Sequence, residues 1–323
     1  MAHQLEMING EAQMAFVGDR EKIWHRLGYQ VPDDLTPEQI MKAAGLDWEV
    51  EKHPLFADID GKHVNLSKKH ALVRSSDHKI LDVVGVDWNP VQNSTAFEFF
   101  NDFVAAGEMK MDTAGSLKGG NLVWALAKTQ ETFTILGEDR TDTYLLFSNP
   151  HQFGKSIDVR MVNVRCVCNN TVSIALNEKS KNFVKVNHRA NFDSDMVKET
   201  LGVTKENLRR YKEMAEFLST KRFADENIVE YFNRVFPATT GAKKDEGNFA
   251  SRAAKQASEI IETQPGAEYG RGSMWSLFNA VTYLTNHELG RSDETRLHSA
   301  WYGPNQKRNT DALNIAIEMA NAL

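Results

Sequence analysis

Between residues 46 and 190 the pattern of apolar and polar side chains predicts about eight strands and one helix, with the clearest period of two near the two ends. Trp48–Leu55 sets Trp48, Val50 and Lys52 against Glu49, Glu51 and His53. His70–Ser75 and Lys79–Val86 read as a hairpin turned at Ser76–Asp77–His78. Lys110–Ser116 and Asn121–Lys128 read as a second hairpin, joined by the glycine-bearing Leu117–Lys118–Gly119–Gly120. Thr132–Leu136 and Thr141–Ser148 follow across Gly137–Glu138–Asp139, and Asn182–His188 closes the series. Ile157–Leu176 is too long for one flat strand, so a bend or a terminal helical turn is expected within it. One helix interrupts the strands: Asn93 or Ser94 caps it, Phe97, Phe100, Phe103 and Val104 share a face, and Gly107 ends it.

The flanks follow other rules. Residues 1–35 are loop-like, and Thr36–Pro37–Glu38–Gln39 then opens a short helix with a capping box and Pro at its first position, ending at Gly45. After Asn191 the period changes to 3.6. A long amphipathic helix lies within Ser194–Thr220, with further helices at Asp225–Phe236, Phe249–Thr263, Met274–Leu289, Asp293–Trp301 and Asn305–Ala322. Thr239–Gly247 is the polar, small-residue linker candidate. The expected fold is therefore α+β: an N-terminal extension and short helix at 1–45, a largely antiparallel β-rich core at 46–192, and a helical C-terminal region at 193–323.

Composition narrows the classes. A chain of 323 residues with 41% hydrophobic content has ample material for a core, and its net charge of −6 argues against a generic nucleic-acid coat protein. The N-terminus lacks the basic start and apolar core of a signal peptide, and no apolar run reaches the roughly 18–20 residues that cross a bilayer. The two cysteines, Cys166 and Cys168, point to the same side of an extended strand and are read as reduced, buried thiols, in keeping with a cytoplasmic location. Ten histidines include no close metal-binding pair on a helix face; neither a metal nor a cofactor is expected. Cys168 with His151 or His188 lacks the local signature of an activated nucleophile, so no catalytic residue is assigned. Leu117–Asn121 lacks Walker spacing and is read as a hairpin loop. Trp275, Asn279, Tyr283 and His287 form a helix stripe read as a packing or subunit interface.

Charge distribution changes the picture more than its total. Residues 151–192 hold seven basic side chains against two acidic ones, within an otherwise acidic chain. Arg160, Arg165, Lys179, Lys181, Lys185 and Arg189, with Lys155 and the loop residue Lys118, are the candidate phosphate contacts, and Phe183 or Phe153 the candidate base-stacking ring. In Phe183–Ala190 alternation places Phe183, Lys185, Asn187 and Arg189 on one face and Val184, Val186 and His188 on the other. The alternative is a solvated strand face whose cations are paired with acids from the N-terminal part.

Six stretches carry a family resemblance: W-H-R-L-G at 24–28, A-A-G-L-D-W-E-V at 43–50, P-V-Q-N at 90–93, T-A-G-S-L-K-G-G at 113–120, V-R-C-V-C-N-N-T at 164–171, and W-S-L-F-N-A-V-T-Y-L-T-N-H at 275–287. In this order they resemble the phage/plasmid-like protein family, part of a wider family of unknown function from prophages and plasmids, over Ala12 to Leu323. The resemblance implies an accessory protein of a mobile element in the host cytoplasm and transfers no catalytic residues. Together the readings lead to a non-enzymatic oligomer that binds single-stranded DNA, as in annealing or recombination. The competing reading is a protein-interaction factor that meets a host protein through its acidic N-terminal part.

Overall fold

The computed structural model describes residues 6–8, 11–18, 28–165, 170–172, 183–190, 192–193, 195–197, 204–238, 248–290 and 293–323. The expected thiols Cys166 and Cys168, most of W-H-R-L-G, and the 239–247 linker lie outside the described residues. The fold is α+β, with strands in the N-terminal and central parts and helices toward the C-terminus. Thirteen strands are described. Four are short N-terminal ones: β1 (Met7–Ile8), β2 (Glu11–Ala12), β3 (Met14–Val17) and β4 (Tyr29–Val31). The middle of the chain supplies β5 (Val50–Ile59), β6 (Lys62–Arg74), β7 (Ile80–Gly85), β8 (Met109–Leu117) and β9 (Leu122–Ile135). β10 (Asp139–Pro150), β11 (Ser156–Arg165), β12 (Asn170–Val172) and β13 (Phe183–Asn187) complete the set.

An eight-stranded sheet runs β12-β11-β10-β9-β8-β3-β4, with β13 also paired to β11. The outer edge of β11 is thus divided: Ser156–Arg160 pairs with β13 and Asn163–Arg165 with β12, both antiparallel. The long strand expected at 157–176 instead doubles back, Arg165 facing Asn170. The sequence predicts a bend or a terminal helical turn there; a reversal is found, because pairing within the segment satisfies backbone groups that a single edge strand would leave open. The loop-like N-terminus contributes β3, which joins the sheet antiparallel to β8 and parallel to β4. A separate sheet orders β5-β6-β7.

By its contacts the chain forms two compact units. The first holds 1–130, 144–161 and 183–202; the second holds 131–143, 162–182 and 203–323. In the first unit, alternate residues of the sheet (Val123, Ala125, Leu145, Phe147, Ile157, Val159, Val184 and Val186) pack against helices α1 (Pro37–Ala43), α2 (Asn93–Glu98) and α3 (Asn101–Ala105). The valine, leucine, isoleucine and phenylalanine side chains among them each contribute about 1.5–3 kcal/mol on leaving water. α1 carries the predicted capping box: Gln39 N donates to Thr36 Oγ1 at 3.2 Å, and Thr36 N to Gln39 Oε1 at 2.8 Å. In the second unit, Phe133 and Ile135 share a core with α4 (Thr204–Thr220), α5 (Asp225–Val235), α6 (Arg252–Glu259), α7 (Met274–Tyr283) and α9 (Pro304–Ala322); α8 (Asp293–Tyr302) precedes α9. Trp275 Nε1 donates to the buried Asp139 carboxylate at 2.9 Å.

β5 and β6 extend well past β7, whose pairing with β6 reaches only Lys69. Asp60 and Gly61, both at positive φ, turn this two-stranded ribbon. Such a turn follows the right-handed twist of the strands it joins. The register pairs Ala57 with Val64 and Ile59 with Lys62, so Ala57, Ile59 and Val64 share a face, with Leu66 next along β6. Ile59, Val64 and Leu66 are exposed on it.

Arg74 closes this sheet against the rest of the first unit. Its guanidinium is buried, donates to both oxygens of Asp77 at 2.8 and 2.6 Å, and to Glu6 Oε1 at 2.5 Å. Burial works against the charged form, but the hydrogen bonds from Asp77 and Glu6 outweigh it and raise the pKa; Asp77 in turn is held down at about 2 by Arg74. Arg74→Met would leave the buried Glu6 with only the more distant Lys79 ammonium, 3.8 Å away, so a loss of about 3–5 kcal/mol is expected in denaturant unfolding. An unchanged midpoint would show that the network is idle.

Candidate nucleic-acid interface

Three stretches far apart in the chain meet around β7 in the first unit. The loop after β8 turns through positive φ at Lys118, Gly119 and Gly120. Lys79 Nζ donates to Gly119 O at 2.7 Å, and Asn121 Nδ2 to Leu81 O at 3.1 Å, which pins this loop along β7. The turn between β10 and β11 is fixed beside it: His151 N donates to Asn121 O at 2.9 Å, and Phe153 N to Asp82 Oδ2 at 2.7 Å. Asp82 Oδ1 also accepts from Val83 N, so that carboxylate is committed to backbone groups.

The turn presents Phe153 with 54% of its surface exposed, and Lys69 Nζ lies 5.5 Å from its ring centroid. Lys155 is exposed two residues on. The pairing of Ser156 with Asn187 brings the exposed Arg189, in the turn after β13, to the same end of the β11–β13 pair. An open aromatic face can stack on any base, and flanking cations can follow the backbone on either side; this combination is what sequence-tolerant single-strand binding uses.

The candidate residues fall into three groups. Lys118, Lys155 and Arg189 are carried by turns, the first two beside β7. Arg160 is buried in β11 and grips Asp158 with Nε and Nη2, each at 2.5 Å, which is the acid-paired state of that side chain. Lys185 is exposed on β13 opposite Asp158, while Val184 and Val186 are buried on the other face, as alternation predicts. Phe183 pairs with Arg160 and Arg165 with Asn170 through their backbones, and the side chains of both lie outside the description, as do Lys179 and Lys181 entirely. Lys69 and Lys79 escaped the sequence reading because they belong to a strand and a turn far upstream of the basic segment. Among the described residues no group of three or more His, Cys, Asp or Glu is arranged to hold a metal ion, and no helix is long and apolar enough to cross a membrane.

The turn that bears Phe153 rests on a buried histidine. Asn93 spends its amide hydrogens on Leu46 O and Trp48 O, so its Oδ1 accepts from His151 Nε2 at 3.0 Å. That fixes the proton on Nε2 and leaves the fully buried Nδ1 without a hydrogen bond. Burial, then repulsion from His188, pushes the His151 pKa down from 6.5 to about 3. His188, stacked on Trp88 with centroids 4.2 Å apart, is also lowered by burial. Below pH 6.5 the unfolded chain takes up a proton at residue 151 that the fold refuses until about pH 3. Stability is therefore lost as pH falls through that window, at up to ~1.4 kcal/mol per pH unit. His151→Gln should lose less stability than the wild type when urea midpoints at about pH 7.5 and about pH 5 are compared. Parallel losses would assign the acid sensitivity elsewhere.

A family model described as domain of unknown function (DUF932) matches residues 80–301, which include β7, the 118–121 loop and the Phe153 turn. No curated protein and no solved structure matches the chain.

Proposed function

We propose a function for a chain that belongs to the DUF932 family: it binds single-stranded DNA, stacking a base on Phe153 while Lys69 and Lys155 follow the adjoining phosphates. The observation that carries this reading is the exposed Phe153 ring with an ammonium over it, held by backbone hydrogen bonds to Asp82 and Asn121. A ring this exposed adds nothing to the core, and a rigid turn presents it without the entropy loss of a mobile side chain. The local cations supply affinity in a chain whose total charge is negative, so binding is salt-sensitive and weakly selective for sequence. The resemblance to phage and plasmid proteins extends the proposal to a non-enzymatic annealing or recombination role for a mobile element in the host cytoplasm.

Fluorescence anisotropy with a labelled single strand tests it. Phe153→Ala should weaken binding by about 1–3 kcal/mol, roughly 5- to 150-fold. Lys69→Ala with Lys155→Ala should reduce the slope of log affinity against log salt by about 1.4, the share of two phosphate contacts. Unchanged affinity in both variants would overturn the assignment.

The β5–β6 ribbon favours a second reading, a protein-interaction factor, with a second copy of this chain as the first partner to test. Its apolar face of Ala57, Ile59, Val64 and Leu66 lies on a ribbon whose β6 edge continues past β7. Sedimentation should show a species heavier than the monomer that Ile59→Ser with Val64→Ser loses. A monomer at every concentration would remove self-association and leave a different protein as the partner of that face.

A further inference from the structure

The second unit contains a cavity of about 390 Å³ between α5, α6, α8 and α9. This volume is in the range of small-molecule sites. Its walls divide by chemistry. Phe236, Ala253 and Leu289 form an apolar side; Ser299, Asn305 and Arg308 form a polar one. The polar side is built rather than incidental. The Asn305 amide is buried and fixed by Nδ2 donating to Thr285 O at 2.9 Å. Its Oδ1 accepts from Arg308 Nη1 at 2.8 Å, and its backbone N donates to Ser299 Oγ at 3.1 Å. The Arg308 guanidinium is thereby held 5.3 Å from the centroid of the Phe236 ring.

Arg308 differs from two other arginines held inside the fold. Arg74 and Arg160 each grip a carboxylate. Among the described residues Arg308 has no ion pair; Asn305 takes one of its five N–H groups. Burial lowers its pKa, and the attraction of Asp311 only partly offsets this. A half-buried cation that has lost water without gaining an anion costs free energy. A ligand oxyanion would supply the missing partner, and the guanidinium fork matches carboxylate and phosphate geometry. Ser299, whose Oγ accepts from Asn305, still has its own hydroxyl hydrogen to donate. The apolar wall would cover the body of the same ligand.

We propose that this cavity is a binding site for a small organic anion, a carboxylate or phosphate carried on an apolar, ring-sized body, with Arg308 as its anchor. The proposal does not depend on the single-strand reading.

Calorimetric titration of the full chain with benzoate, phenyl phosphate and neutral benzyl alcohol at up to millimolar concentration tests the proposal. At least one anion should bind tenfold or more tightly than the alcohol, and the preferred anion identifies the carboxylate or the phosphate as the natural group. Arg308→Gln should abolish that preference while the near-ultraviolet circular dichroism stays that of the wild type. Should that variant fail to fold, Ser299→Ala should weaken the anion severalfold and leave the alcohol unchanged. Equal binding of anion and alcohol, no binding of either, or a preference that survives in the folded variants would overturn the proposal.

Discussion

The first unit depends on a guanidinium taken out of water. Arg74 joins the N-terminal Glu6, the turn at Asp77 and the ring of Trp48, whose centroid lies 5.4 Å from its Cζ. Glu6 also accepts from Ser116 Oγ at 3.2 Å, so the end of β8 is tied to the same charge. The loop beyond passes so close that a Cβ at Gly120 would sit 2.8 Å from Arg74 Nη1, at a φ of +92° that already favours glycine. Trp48 stands edge-on to His151, and His151 begins the turn that carries Phe153. A buried charge tolerates few geometries, because each of its donors must meet an acceptor. The exposed aromatic turn is therefore as well positioned as the buried network behind it.

Much of this architecture was legible because local chemistry and tertiary environment agree. Thr36 and Gln39 form the box their spacing announces, and β13 buries Val184 and Val186 while exposing Lys185. Other elements were hidden for physical reasons. Asp60–Gly61 is a strong hairpin signal, but it lies between strands whose exposed apolar and charged residues show no clean alternation, so the ribbon was not read. β9 is one strand from Leu122 to Ile135, although its polar Thr129–Gln130–Glu131 reads as a break. β8 pairs with it only as far as Thr129, and β10 is its other neighbour in the sheet. On the same strand Trp124 and Leu126 are buried as well as Val123 and Ala125, which removes the alternation that marks a half-exposed sheet.

The candidate site was legible as a charge excess, not as a surface. A count of basic residues records how many cations a segment has and nothing of where their partners lie. Arg160 illustrates the difference: Asp158, two residues earlier and on the same face of β11, takes up its charge. Phe153 and Lys155 were visible within the basic segment, but Lys69 reaches the ring from β6 and Lys79 reaches the 118–120 loop from the turn before β7. Those juxtapositions follow from sheet packing between distant segments, which no local window contains.

Three arginines show why burial has to be read together with partnership. Arg74 and Arg160 are both nearly inaccessible, yet each has a carboxylate within 2.5 Å, and their electrostatic requirement is met inside the chain. Arg308 is less buried, but its nearest polar partner is the neutral Asn305 and its apolar neighbour is Phe236. In the low-dielectric interior an ion pair is strong because water is absent, and an unpaired cation is costly for the same reason. The first two arginines therefore have their charge met by a carboxylate, whereas Arg308, at the wall of an open cavity, has no ion pair among the described residues. The difference lies in what each guanidinium touches, and it separates a structural arginine from one poised to receive a ligand.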